Sequence, residues 1–172
     1  MLRSITLALV ALCALPAFAR ADGNIAQDAG PFEFTLGGSG SNDKSFNNGG
    51  FNLNGSLGWF VTPNVELALR DQFGYSDFGT GHEYTNQVKA AADFNFNFDR
   101  FQPFVGANIG YISGTFVNDG GTAAPEAGLR FYLTNQAFLY GLVEYDFFWN
   151  SGGNTTFNNG QFNYTLGLGL RF

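Results

Sequence analysis

The sequence predicts an all-β chain: an eight-stranded antiparallel up-and-down transmembrane β-barrel. Three observations lead there. Apolar and polar residues alternate with period two in eight separate segments. The composition is too poor in charge to dress a water-facing surface. The links between segments alternate between short and long. Alternation matters because successive strand side chains point to opposite faces. Charged residues make up 13% of the 172, while aromatics reach 17%, with 21 Phe and 24 Gly. A small soluble domain wants roughly 25–35% charge on its surface, so something other than water must cover much of this chain.

The N-terminus indicates export. Arg3 precedes the apolar run "ITLALVALCALPAFA", which Ala19-Arg20-Ala21 follows. A basic start, a short apolar core and an A-x-A site read as a secretory signal peptide over residues 1–21. The run is shorter than the roughly 20 apolar residues of a spanning helix. The single cysteine, Cys13, lies inside this leader, and the preceding Leu12 is not the small residue of a lipoprotein signal. The chain beyond it then holds no disulfide or thiolate site. Loss of Arg3 and Arg20 leaves 6 Lys/Arg against 14 Asp/Glu, a net charge of 6 − 14 = −8. No basic nucleic-acid footprint exists. Residues 22–30 read as a short periplasmic arm, and 31–172 as the barrel.

Strands are predicted near 31–40, 50–60, 65–75, 83–98, 101–111, 122–133, 137–149 and 160–172. On the second, Phe51, Leu53, Leu57 and Trp59 oppose Asn52, Asn54, Ser56 and Gly58. On the third, Val65, Leu67, Leu69, Phe73 and Tyr75 oppose Glu66, Ala68, Arg70, Gln72 and Gly74. The fourth sets Tyr84, Val88, Ala90, Ala92, Phe94 and Phe96 against Glu83, Gln87, Lys89, Asp93 and Asn95. The fifth sets Val105, Ala107, Ile109 and Tyr111 against Gln102, Gly106, Asn108 and Gly110, and the sixth Ala127, Leu129, Phe131 and Leu133 against Glu126, Gly128, Arg130 and Tyr132. The seventh sets Leu139, Val143, Tyr145, Phe147 and Trp149 against Glu144 and Asp146, with Phe138, Tyr140, Leu142 and Phe148 blurring its second face. The eighth is the cleanest: Phe162, Tyr164, Leu166, Leu168, Leu170 and Phe172 alternate with Gln161, Asn163, Thr165, Gly167, Gly169 and Arg171.

Links near 61–64, 98–101 and 133–136 are tight, whereas those near 41–49, 76–82, 112–121 and 150–159 are longer and rich in Gly, Asn and Ser. Short periplasmic turns and long outer loops are the pattern of bacterial outer-membrane barrels. Aromatics form two bands. Trp59, Phe60, Phe98, Phe101, Phe131 and Phe172 fall near the short links; Tyr75, Tyr84, Tyr111, Phe147, Trp149, Phe162 and Tyr164 fall near the long ones. Rings belong at the two membrane interfaces. A lipocalin-like soluble barrel would instead turn the apolar face inward.

The assignment puts a charge network in the lumen: Glu33, Glu66, Arg70, Glu83, Lys89, Asp93, Glu126, Arg130, Glu144, Asp146 and Arg171. Eight strands enclose a space just wide enough for side chains to fill, so these charges are expected to pair as a plug. Closure brings the first strand beside the last, and Glu33 and Arg171 are expected to meet across the seam. Carboxylates outnumber bases, so some must share a cation or water or stay hydrated.

On these residues the chain resembles the OmpA-like eight-stranded outer-membrane barrel superfamily of Gram-negative bacteria, over essentially all of 31–172. The most specific piece is "FNYTLGLGLRF", which looks like the family's terminal strand: Phe162, Tyr164, Leu166, Leu168 and Leu170 at every second position before a final Phe172. "PFVGANIGY" and "EAGLRFYLT" are similar to barrel strands. The resemblance implies recognition of the last strand by the barrel-assembly machinery and residence in outer-membrane lipid. No peptidoglycan-binding domain follows the barrel in this sequence. The expected role is structural or surface-interactive, with a surface ligand left unidentified.

Two other functions each match part of the sequence. A narrow porin-like channel for small solutes needs a continuous lumen, which Phe138, Tyr140 and Phe148 would obstruct. An outer-leaflet lipid A acyl hydrolase or transferase needs a His base beside a nucleophile. His82 is the sole histidine, with Ser76 and Asp77 nearby, but the deacylase-like His-x-Ser-Asn stretch and the leading amphipathic helix of the acyltransferases are absent. No catalytic site, metal-ligand spacing or cofactor is expected. The "NTT" at 154–156 matches a glycosylation acceptor by composition alone.

Overall fold

The computed structural model describes residues 30–42, 49–77, 81–115, 117, 119–150 and 160–172. The predicted leader, nearly all of the arm, the "NTT" stretch and most of two long links lie outside them. Eight strands close into one antiparallel barrel in sequence order. They are β1 (Phe32–Asn42), β2 (Gly49–Thr62), β3 (Val65–Asp77), β4 (His82–Asn95), β5 (Phe101–Gly114), β6 (Gly120–Tyr132), β7 (Ala137–Asn150) and β8 (Gln161–Arg171). Each predicted strand is present, with ends shifted by a few residues. Closure satisfies every strand edge, as hydrocarbon requires. At the seam, Phe32 N–H donates to the Phe172 carbonyl at 3.0 Å and Phe172 N–H donates back to Phe32 at 2.8 Å. The final Phe is therefore held, not frayed.

The tight turns have local causes. Thr62 Oγ1 accepts from the Asn64 and Val65 amides at 3.3 and 3.0 Å. Thr134 repeats this with Gln136 and Ala137 at 3.2 and 2.9 Å. A hydroxyl that binds backbone two and three residues on mimics a turn. In the third short link Asp99 adopts a left-handed φ of 53°, a region Asp tolerates better than most residues.

The exposures decide which face meets lipid. Leu166 is 76% exposed and Tyr164 74%, while Asp146 is 0%. Apolar side chains point out and, Asp71 of β3 apart, the charges of the strand middles point in, the inverse of a soluble barrel. Trp59, Tyr84, Tyr111 and Trp149 are exposed rings on the outer surface. Tyr75 and Phe131 are half-buried there, because Tyr75 packs between Phe51 and His82 and Phe131 lies 5.0 Å from Phe101. Phe60 departs from its expected place in the inner band: it faces the lumen and is buried. Its rung partner Glu66 is also inward, so strand parity leaves the ring no other side.

Glycines on the inner face make room for large inward rings. Phe138 pairs with Gly169 and Tyr140 with Gly167 across β7 and β8. A Cβ at either glycine would run into the facing ring. The small residues in "LGLGL" are thus the complement of the aromatics that blur the seventh strand's pattern.

Candidate functional site

The interior is organised around three bases, each shared by two carboxylates. Arg130 on β6 reaches Glu33 of β1 at 3.0 Å and Glu66 of β3 at 2.5 Å. Its third branch donates to Asn95 Oδ1 at 2.5 Å. Arg70 on β3 spans to Asp93 of β4 at 2.6 Å and Glu126 of β6 at 2.5 Å. Lys89 on β4 binds Glu144, and Asp146 at 3.2 Å, both on β7. Asn108 of β5 joins the last two clusters, donating to Glu126 at 2.6 Å and Glu144 at 3.0 Å. Asp146 also accepts from Gln87 at 3.1 Å and from Asn163 of β8 at 2.7 Å.

Every strand therefore sends a group into the plug, β2 through Phe60. Rings line its inner end. The Arg130 guanidinium lies 4.4 Å from the centre of the Phe104 ring, and Arg171 lies 3.4 Å from that of Phe60. Below them Tyr132 and Phe138 form a fully buried pair. Arg and aromatic faces attract through the ring quadrupole, most strongly when both are out of water.

The chain brings together ten of the eleven residues assigned to the lumen network. Glu83 stands apart: it is half-buried at the outer end of β4, opposite Ser76. Glu33 and Arg171 are rung partners across the seam, but the Glu33 carboxylate is engaged by Arg130. Arg171 donates to the Gly30 carbonyl at 2.7 Å and lies 3.4 Å from the Tyr132 hydroxyl. The expected meeting of Glu33 and Arg171 at the seam is thus present in the register, while the Glu33 carboxylate takes its ion pair from Arg130. The reason is reach: from β6 a planar fork can meet β1 and β3 together across the lumen.

Sequence reasoning passed over Phe104 and Asn95 as contributors to the Arg130 cluster. Phe104 sits between Gln102 and Gly106, so parity alone assigns it inward, although its hydropathy resembles the lipid face. Six plug carboxylates face four cations, and Glu33 Oε2, Asp93 Oδ1 and Glu126 Oε1 find no donor among the described residues. A lumen cavity of about 40 Å³, bounded in part by Thr35, Asn54, Gln72, Tyr140 and Thr165, is large enough for roughly three waters.

The hydrolase alternative is not assembled as its residue types suggested. His82 Nδ1 lies 2.8 Å from the Tyr75 hydroxyl and 3.5 Å from the Asp77 carboxylate. Asp77 and His82 are rung partners, and Ser76 pairs with Glu83 one position along. Period-two alternation puts Ser76 on the opposite face of the sheet from His82. Among the described residues no cluster of metal-ligating side chains occurs.

With this geometry in hand, the comparisons with known proteins are consistent. The chain is similar to the N-terminal β-barrel domain of Pseudomonas aeruginosa OprF, with 20% identity, a TM-score of 0.56, and coverage of 84% of this chain and 99% of that one. It is similar to Neisserial surface protein A, with 14% identity, a TM-score of 0.57, and coverage of 82% and 95%. It is also similar to the outer membrane protein OprG of Pseudomonas aeruginosa, with 14% identity, a TM-score of 0.60, and coverage of 87% and 99%. No curated protein matches the chain by sequence. The OprF membrane domain family matches residues 3–172, nearly the whole chain, so this eight-stranded barrel with its charged interior belongs to the OprF membrane domain family.

Proposed function

We propose that the protein serves the bacterial envelope as a closed outer-membrane barrel, structural or surface-presenting, rather than as a solute pore or an enzyme. The observation that supports this reading is the plug: three bases, each bridging two carboxylates, with contributions from all eight strands. Opening a continuous path through it requires separating several buried ion pairs together. Separating such pairs leaves buried charges without their counter-ions, which is strongly unfavourable, so spontaneous opening is rare. Recordings from the folded protein in planar bilayers test it directly. The expected trace is flat, and steady single-channel steps from the wild type would overturn the reading.

Biogenesis belongs to the same proposal. The leader is removed after Ala21, and β8 with Phe172 serves as the address read by the barrel-assembly machinery. Deleting Phe172 should lower the heat-modifiable, folded fraction in outer membranes; an unchanged gel shift and normal insertion would refute that role.

A further inference from the structure

Closure gives each strand two neighbours, but the closing seam is shorter than the strands that make it. β1 and β8 pair from Glu33–Arg171 to Gly37–Gly167 and no further. On its other side β1 pairs with β2 out to Asn42, and β8 pairs with β7 from Gln161. Gly167 lies five residues from Phe172 of the inner ring band. At about 3.3 Å per residue and a tilt near 40°, that is roughly 13 Å along the barrel axis. Pairing therefore stops near the middle of an apolar band about 25 Å tall. Leu166 and Tyr164, on the β8 flank of the unpaired stretch, are the most exposed large apolar side chains among the described residues. Hydrocarbon offers no hydrogen bonds to such a strand edge.

The lumen cavity reaches the seam at this point. Thr35 of β1, short of the last rung, and Thr165 of β8, beyond it, both line the cavity. Asn54, Ser56 and Gln72 lie on the same wall, and their side chains make no hydrogen bond among the described residues. The charged members of the wall are already engaged. Arg130 holds Glu33, Arg70 holds Asp93 and Glu126, and Lys89 holds Glu144. What stays free is neutral amide and hydroxyl, with one exception. The Glu33 side chain is 2% exposed, and its Oε2 has no donor among the described residues.

We infer that the cavity and the unpaired stretch of seam form one site for a single-chain amphiphile with a small, uncharged hydroxyl head, of the monoacylglycerol class. The head lies among Asn54, Ser56, Gln72 and Thr165 and brings a hydroxyl donor towards Glu33. The chain leaves between β1 and β8 and joins the outer-leaflet hydrocarbon. Space for roughly three waters suits a glyceryl head and excludes a large sugar. An anionic head would enter a lumen where carboxylates outnumber bases, and an ammonium head would face Arg70, Lys89 and Arg130 on the cavity wall. The plug stays shut beneath the site, so a flat planar-bilayer trace neither requires nor refutes it.

Photolabelling tests this, with the full chain folded in phosphatidylcholine vesicles that carry a trace of monoacylglycerol bearing a diazirine on its acyl chain. Mass spectrometry of the digested protein should place label on β1 and β8 several-fold above β3 and β4. Unlabelled monoacylglycerol should remove that excess; a fatty acid or an alkyltrimethylammonium of the same chain length should not. Asn54→Leu combined with Gln72→Leu should bring β1 and β8 down to the β3–β4 level, with heat-modifiable mobility showing that the variant is folded. Asn54→Ser, which keeps a hydroxyl in the cavity, should retain most of the excess. The inference is overturned by even labelling around the barrel, by an excess that unlabelled monoacylglycerol does not displace, by equal competition from the charged amphiphiles, or by undiminished labelling of the folded double variant. The competition arms use the wild type alone and decide the matter even where the double variant fails to fold.

Discussion

The Arg130 and Lys89 clusters hold the same nominal charge, one base between two carboxylates, but they are built differently. Arg130 is a planar fork whose branches meet Glu33, Glu66 and Asn95, and its face rests against Phe104. Lys89 is a point charge, and its carboxylates have other donors: Asn108 serves Glu144, while Gln87 and Asn163 serve Asp146. The inner cluster concentrates its satisfaction in one side chain, whereas the outer cluster distributes it. The consequence is asymmetric tolerance. Removing the fork strands two buried carboxylates together; removing the ammonium leaves each carboxylate with an amide.

Arg130→Ala should therefore have the largest effect. Breaking a buried ion pair by deleting one partner costs about 3–5 kcal/mol, and here two acids lose the same partner. Urea unfolding in lipid vesicles should show a loss in this range, and planar-bilayer recordings should show conductance absent from the wild type. Arg130→Lys should rescue only part of it, because an ammonium cannot reproduce a bidentate, ring-stacked fork. Full rescue by lysine would show that charge alone matters and would erase the contrast between the clusters.

Lys89→Met comes next. Glu144 and Asp146 keep their amide donors, so the expected loss is about 1–3 kcal/mol, the range for a buried group deprived of one partner. The same unfolding experiment checks it. A loss equal to that of Arg130→Ala would mean that the amides contribute little, and the distributed design would be refuted.

How much of this was visible beforehand follows from what alternation can report. The eighth strand's strict pattern placed Leu166 outside and Arg171 inside, because parity is a local property and survives any register. Long and short links gave the up-and-down order for the same reason. Pairing is not local. Glu33 and Arg171 share a rung, yet Arg130, 97 residues away in sequence, engages Glu33; only the closed lumen brings β1 and β6 within reach. Phe60, Phe104 and Asp71 show the other limit. Their chemistry contradicts the face they occupy, so hydropathy misleads where parity alone would have been right. Asp71 is outward by parity, and its Oδ1 accepts a hydrogen bond from Asn86 on the neighbouring strand of the same barrel.

The finest test of the comparison is the ring beneath Arg130. Phe104→Leu keeps an apolar side chain of similar reach over Gly128 but removes the π-face. The ion pairs of Arg130 with Glu33 and Glu66 remain, so the loss should be about 1–2 kcal/mol, of which the cation–π attraction accounts for roughly half. A double-mutant cycle with Arg130→Lys isolates that part, because lysine retains the charge but not the planar stack. The coupling should be about 0.5–1 kcal/mol. Phe104→Leu paired with Lys89→Met, whose clusters are distinct, should be additive. Coupling of equal size in both cycles would show that Phe104 acts through general packing of the lumen, and the inner cluster would then be no more specialised than the outer one.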